Sequence, residues 1–284
     1  MATVAVTHFS DRLADAVERK SSQLVVGLDP VVEQMPAEVD GDLFAFCSGI
    51  IDAIAPYAVA VKPQSAFFEA HGGEGVSAFA QVCEYARAAG LIVIADAKRG
   101  DIGSTARAYA EAFIPLADAV TVNPYLGGDS IEPFLDGCRR EGAGIFCLVK
   151  TSNPGSADVQ DVVLADGRRL WQHVAGLVRD WGEELVGERG ISSVGAVVGA
   201  TFPREVAEAR ELLPRSVLLL PGVGVQGGRP ADLAAAFSAG PASALVSASR
   251  SVIYAYKEGG GDWQSAAGAE AERLAREVWS ASGR

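Results

Sequence analysis

The charged residues that interrupt apolar runs carry the first chemical signal. Lys62 follows the run AVAV, Asp96 follows LIVIA, and Lys98 and Asp101 complete the segment DAKRGD. Asp96 and Lys98 stand two apart in a segment read as extended, so both side chains project to the same side. Opposite charges within ~4 to 6 Å of one another stay ionised even when water is removed, so this set presents fixed charge to whatever a neighbouring cleft holds. Asp29 closes another apolar run, and so does Lys150 at the start of KTSNPG. A second signal points to an anion. PGVGVQGG (residues 221–228) and SASR (residues 247–250) follow two further runs. Glycines let backbone N–H groups approach a phosphate closely, and Arg250 adds a planar, charged fork. GVGVQG formally matches the dinucleotide fingerprint, but it follows the seventh apolar run, and no acidic residue ends the next run to hold a ribose.

The elements that must position these residues are legible as a rhythm. Short β-rich runs start at Leu24, Ala58, Leu91, Ala119, Ile145, Val194, Val217 and Ala244, eight in all. They are continuous rather than alternating, as parallel strands buried on both faces should be. Helix-patterned stretches lie between them, such as Leu43, Phe46, Cys47, Ile50 and Ile54, or Ile131, Phe134 and Leu135 behind a cap at Asp129. Strand then helix, eight times over, predicts an α/β fold: a (β/α)8 TIM barrel in a single domain covering residues 1–284. In such barrels the loops at the C-terminal ends of the strands carry the chemistry, which is where all the residues above fall. Loops after strands seven and eight, meeting the start of a short extra helix, form the usual barrel phosphate site. Three additions are expected: a helix at residues 9–20 ahead of strand one, an insertion after strand five at about residues 156–190, and a closing helix from Trp263 to about Trp279 behind a Gly259-Gly260-Gly261 joint. The insertion reads as a solvated loop with an extra helix around residues 171–186, without a catalytic role.

Composition excludes several classes. Of the 284 residues, 49% are hydrophobic and 21% charged, the balance of a folded globular chain. With 24 Lys and Arg against 36 Asp and Glu, the net charge of −12 opposes binding to nucleic acid. No apolar run approaches the ~20 residues that span a bilayer, and MATVAVTHFSDRL lacks the basic start and long apolar core of a secretion signal. A cytoplasmic protein is expected. Cys47, Cys83, Cys138 and Cys147 form no CxxC pair and the three histidines are dispersed, so no metal site is expected. Cys83 shares a helical stripe with Phe79, Val82 and Ala86, and Cys147 sits in GIFCLV; both read as core residues.

In combination the motifs resemble the orotidine 5′-phosphate decarboxylase family, and its longer bacterial branch in particular. GLDP, VKPQSAFFE, DAKRGDI, NPYLGGDS, KTSNPG, GATFP, PGVGVQGG and SRSVIYA stand in the family's order between about Leu24 and Ala255. The resemblance implies conversion of orotidine 5′-monophosphate to UMP and CO2 in pyrimidine biosynthesis, with no cofactor. It implies Lys98 as the cation and proton donor beside C6 of the pyrimidine. Asp96 would stand beside the leaving carboxylate and, with Lys62, orient Lys98. Asp101 would complete the array, reaching it across the interface of a homodimer with shared active sites. Asp29 and Lys62 would hold the ribose, with Thr105 of the neighbour on its 2′ side, and Ile102 of the neighbour would line the pocket that receives CO2. Ser152 would read the pyrimidine edge, Gln226 would bridge base and phosphate, and Pro221, Ser249 and Arg250 would belong to the phosphate end. Ser249 departs from the Gly that many shorter members carry there.

Two rival readings keep the barrel. A magnesium-dependent sugar-phosphate lyase would share the DxKxxD core, but Lys62 stands where such a site would favour an acidic ligand. A non-catalytic nucleotide-binding barrel would keep the phosphate site, yet would have no need of clustered charges that cost desolvation.

Overall fold

Every one of the eight apolar runs forms a strand, and the strands pair in parallel and in order around one closed barrel. The computed structural model describes residues 6–224 and 227–284. The strands are β1 (Leu24–Leu28), β2 (Ala60–Pro63), β3 (Ile92–Arg99), β4 (Ala119–Val122), β5 (Gly144–Lys150), β6 (Ser192–Val198), β7 (Ser216–Pro221) and β8 (Ala244–Ala248). The helices are α1 (Phe9–Lys20), α2 (Leu43–Ile54), α3 (Ser65–Glu69), α4 (Gly72–Ala88), α5 (Gly103–Phe113), α6 (Gly128–Glu141), α7 (Ala157–Gln160), α8 (Leu170–Trp181), α9 (Pro203–Leu212), α10 (Arg250–Ile253), α11 (Tyr256–Gly259) and α12 (Trp263–Ala281). Between β7 and β8 the crossover is a 3-10 helix, Pro230–Phe237.

Side-chain alternation splits the apolar residues into two cores. Val26, Val61, Val93, Val120, Ile145, Val194, Leu218 and Val246 point outward and pack beneath the ring of helices. Val25, Ala60, Ile94, Ala119, Phe146, Val197, Leu219 and Leu245 point inward. The inner core is stoppered at the N-terminal end of the strands by α1, whose Phe9, Leu13, Ala14 and Val17 join it. Phe9 meets Phe146 edge to face at 5.9 Å. Burying a side chain such as Phe9 or Leu13 stabilises the fold by about 1.5–3 kcal/mol. With that end closed, the C-terminal mouth is left for a ligand.

Two local expectations need correction. Helix α6 begins at Gly128 with Gly127 at its cap, φ 91°, so Asp129 does not cap it. Asp129 lies in the first turn instead, where its charge complements the helix dipole. Nor is α8 an extra helix: its Trp171, Ala175 and Val178 are buried, and it packs on β5 and β6 as the fifth crossover helix of the barrel. What is added after β5 is therefore shorter, residues 154–169, comprising a 3-10 turn at Pro154–Ser156, α7, and an antiparallel bridge between Val163 and Arg169.

All four cysteines are free and buried. Burial pushes the Cys83 and Cys138 thiols up to about 12, and raises those of Cys47 and Cys147 as well. The native protein should therefore leave a thiol reagent unconsumed at neutral pH and titrate four equivalents once unfolded in denaturant. Rapid labelling of any one of them in the folded state would contradict this packing.

Candidate active site

The alternation that fills the barrel interior with valine and leucine turns polar at its last inward layer. Beyond Ala60 the next inward residue on β2 is Lys62; beyond Ile94 on β3 it is Asp96; beyond Ala119 on β4 it is Thr121. Asp96 is the hub. Its Oδ2 accepts from Lys62 Nζ at 2.5 Å, and its Oδ1 accepts from Lys98 Nζ at 2.5 Å and from the Thr121 hydroxyl at 2.9 Å. The side chains of Lys62 and Asp96 are 8% and 6% exposed, whereas that of Lys98 is 42% exposed and open to the mouth. Burial alone would raise the Asp96 carboxyl, but the ammonium groups of Lys62 and Lys98 outweigh it and hold the carboxyl well below the usual carboxylate range. For Lys62, burial works downward while Asp96 and Asp29 work upward and win.

Lys98 reaches Asp96, though not along a regular extended strand. Its backbone is left-handed, φ 47°, and the β3–β4 register shifts between Ala95 and Arg99. The Lys98 N–H donates to Thr121 Oγ1 at 2.9 Å. Thr121 thus holds both the backbone of Lys98 and the carboxylate of Asp96. Sequence reasoning passed over this residue, and the available signal was its place as the one polar residue of AVTV.

Two adjoining cavities open over this layer. The larger, about 430 Å3, is walled by Asp29, Lys62, Pro221, Gly222, Val223, Ser247, Ser249, Arg250 and Ser251 among others. The smaller, about 200 Å3, is walled by Lys62, Asp96, Lys98, Thr121, Ser152, Leu148, Leu219 and Pro221 among others. Lys62 and Pro221 belong to both, so together they make one cleft across the mouth. In the larger half, Asp29 Oδ1 and Ser251 Oγ are buried and have no hydrogen-bond partner among the described residues. Arg250 is exposed at the first position of α10, directly behind β8. Ser249 turns toward β1: a Cβ on Gly27 would lie 1.9 Å from Ser249 Oγ, so the serine in this chain depends on the glycine opposite.

The other predicted site residues make no hydrogen bond to the hub among the described residues. Asp101 Oδ1 accepts from the Ile102 N–H at 2.8 Å, Ile102 is 58% exposed, and Thr105 is exposed in the first turn of α5. Gln226 falls outside the described residues. Lys150 corrects the expectation that strand-end charges face the cleft. It is buried, pairs with Asp161 at 2.8 Å and lies 5.6 Å over the Phe202 ring. The cause is an irregularity in the β5–β6 register between Leu148 and Lys150, which leaves Leu148 as the residue facing the cleft.

The profile of the orotidine 5′-phosphate decarboxylase/HUMPS family matches residues 22–259, the strands of the barrel and all the strand ends that build the cleft. The chain belongs to this family. It is 46% identical over 270 residues to an orotidine 5′-phosphate decarboxylase of Rhodopirellula baltica, covering 88% of this chain and 89% of that one. Among solved structures it resembles a candidate orotidine 5′-phosphate decarboxylase of Streptomyces avermitilis, with TM-score 0.86 and 38% identity over 100% of this chain and 99% of that one. It also resembles the OMP decarboxylase of Leishmania donovani, with TM-score 0.77 and 35% identity over 97% and 98% of the two chains. No helix among the described residues is long and apolar enough to cross a membrane.

Replacing Asp96 by Asn would leave two ammonium groups side by side, one of them buried. Loss of the carboxylate from a buried pair costs ~3–5 kcal/mol, and Asp96→Asn should destabilise the fold by an amount of that order. Because the folded-state value of Asp96 is depressed, its contribution is complete above the ordinary carboxylate range near pH ~4 and is lost as the pH falls through the depressed value. Urea titrations of both proteins should show a constant stability difference from pH 7 to about 5, narrowing only below ~4.

Proposed function

We propose that this chain decarboxylates orotidine 5′-monophosphate to UMP and CO2 without a cofactor, as the names of its relatives suggest. The observation that carries the reading is the occupancy of Asp96, whose two oxygens are both taken by lysine ammonium groups. A magnesium-dependent lyase would need that carboxylate free for the metal, and a purely binding barrel would not need a buried charge array whose desolvation costs several kcal/mol per ion.

The reaction needs what the array supplies. Breaking the bond from C6 to the carboxylate carbon releases CO2 and leaves the electron pair in an sp2 orbital on C6, outside the ring π system. A cation beside C6 stabilises the developing charge, and its proton then moves to C6, leaving a neutral amine. Lys98 is the ammonium group of the array that opens to the cleft, so it takes both roles. Asp96 and Lys62 fix its position, and Asp96 also faces the departing carboxylate. Such preorganised charge must deliver most of the ~8–23 kcal/mol by which enzymes typically lower a barrier.

The cleft divides naturally for this substrate. The base fits the smaller half beside Lys98 and Ser152. The phosphate fits the larger half against the loops after β7 and β8, with Arg250, Ser249 and Pro221 around it. Lys62, on both walls, and the Asp29 oxygen, which has no hydrogen-bond partner among the described residues, would take the ribose hydroxyls. Ile102 and Thr105 are exposed and Asp101 half-buried in a single chain, which suits a homodimer in which each subunit completes its neighbour's site. A cytoplasmic setting agrees with four unpaired, buried thiols.

Purified protein should bleach the absorbance of orotidine 5′-monophosphate equally with and without EDTA; loss of activity on chelation would favour the lyase. Lys98→Ala should keep the fold and lose at least ~10²-fold in turnover, the usual scale for a lost general acid. The shared site is tested by mixing. Equal amounts of inactive Asp101→Ala and Lys98→Ala proteins, once they exchange subunits, should recover about a quarter of wild-type activity, since half the dimers are mixed and each mixed dimer has one intact site. Exchange without recovery would place Asp101 in its own chain's site.

A further inference from the structure

We propose that Gln160 and Asp161, at the end of α7, are positioning residues for the decarboxylation: they clamp the loop that carries Ser152 onto the smaller half of the cleft. The inference rests on the reading of Ser152 as the residue that meets the pyrimidine. The residues after β5, Thr151 to Asn153, make a short segment outside regular secondary structure before Pro154. Gln160 grips it at two points. Its Oε1 accepts from the Thr151 N–H at 2.9 Å, and its Nε2 donates to Thr151 Oγ1 at 2.8 Å. The same hydroxyl donates onward to Asn153 Oδ1 at 2.7 Å, so one side-chain amide orders the residues on both sides of Ser152.

Asp161 secures the root of the loop. Lys150 is buried, with its side chain 3% exposed, and its ammonium group finds both oxygens of Asp161 at 2.8 and 2.9 Å. A buried ammonium without a counter-charge is strongly unfavourable, so the last residue of β5 ties the inserted segment to the barrel. The opposite wall is β6. The Gly199 N–H donates to the Lys150 carbonyl at 2.8 Å, and a Cβ at Gly199 would lie 3.0 Å from Ser152 Cβ. Ser152 sits between neighbours that Gln160 orders and the Gly199 backbone, and displacement of a substrate-positioning group by ~1 Å costs on the order of 10²-fold in rate. The inserted segment is thus part of the apparatus that reads the base.

A double-mutant cycle tests this on the full chain. kcat and KM for orotidine 5′-monophosphate, and affinity for UMP, are measured for wild type, Ser152→Ala, Gln160→Ala and the double variant, with thermal melts as a check on folding. The expectation is a fall of roughly ten- to a hundredfold in kcat/KM for Gln160→Ala, with weaker UMP binding and an unchanged melt, but less than about threefold further loss in the Ser152→Ala background. Gln160→Glu, which keeps an acceptor for the Thr151 N–H, should recover part of the loss. If Gln160→Ala does not fold, Asp161→Asn enters the same cycle with the same expectation. Wild-type kinetics for Gln160→Ala beside an impaired Ser152→Ala would overturn the clamp and leave the reading of Ser152 standing. Losses that simply multiply in the double variant would also overturn it. A Ser152→Ala protein with wild-type kinetics would remove the reading of Ser152 and the clamp with it.

Discussion

The structure depends on keeping one carboxylate between two ammonium groups in a place where water does little to screen them. Three unit charges within hydrogen-bonding distance are stable together only if each distance is fixed, because the attraction must offset the desolvation of every member. No single element could achieve that. Lys62 comes from β2, Asp96 and Lys98 from β3, and Thr121 from β4, and the fixed parallel registers Val61 to Val93 and Ile94 to Ala119 hold those strands in step. A backbone bridge between Gln64 and Asp96 extends the β2–β3 pairing to the level of the array itself. Barrel closure removes the remaining freedom, since no strand has an edge along which to slide.

The cleft joins two kinds of construction. At the Lys98 end the walls are buried side chains on adjacent strands, already paired with one another. At the Arg250 end they are loop backbone and exposed side chains, and Gly222 and Gly224 hold the β7 loop in positive φ. A ligand spanning both is gripped by the second and acted on by the first, so binding energy from the remote end can bring the reacting atoms up to the charges. Lys62 and Pro221, on both walls, are where the two halves meet.

The fold was legible because its signals were repeated and local. Each strand appeared as an uninterrupted apolar run, and Phe9–Lys20 as an amphipathic helix. Lys62, Asp96 and Lys98 were legible because a charge at the end of an apolar run has few places to go except a cleft. The same rule misread Lys150, since a shift in strand register turned that side chain outward, and register irregularities leave no mark in the sequence. Thr121 was invisible for the opposite reason: a hydroxyl among valines carries no charge to draw the eye, and its value lies in two neighbours contributed by β3. The long interval after β5 was visible, but the division between α8, which belongs to the barrel, and the short segment before it depended on which apolar face found a partner. Asp101, Ile102 and Thr105 gain their meaning only from the family resemblance, because within one chain Asp101 accepts only from the Ile102 N–H among the described residues, and Ile102 and Thr105 are exposed.

The stopper at the closed end has a consequence for how the protein is made. Helix α1 is synthesised before every strand of the barrel, yet its docking sites are scattered far downstream. Arg12 bonds to Asp118 and the Gly142 carbonyl, Phe9 packs on Phe146, and Asp11 accepts from the backbone of Glu188 and Arg189. About 170 residues separate Lys20 from Arg189, a delay of roughly ten to thirty seconds at synthesis rates of ~5–20 residues per second. Throughout that interval Phe9, Leu13, Ala14 and Val17 present an uncovered apolar face on the nascent chain. A helix made ahead of the whole barrel is thus among the last elements to be seated, and its apolar face must stay out of other contacts until the strands it closes have formed.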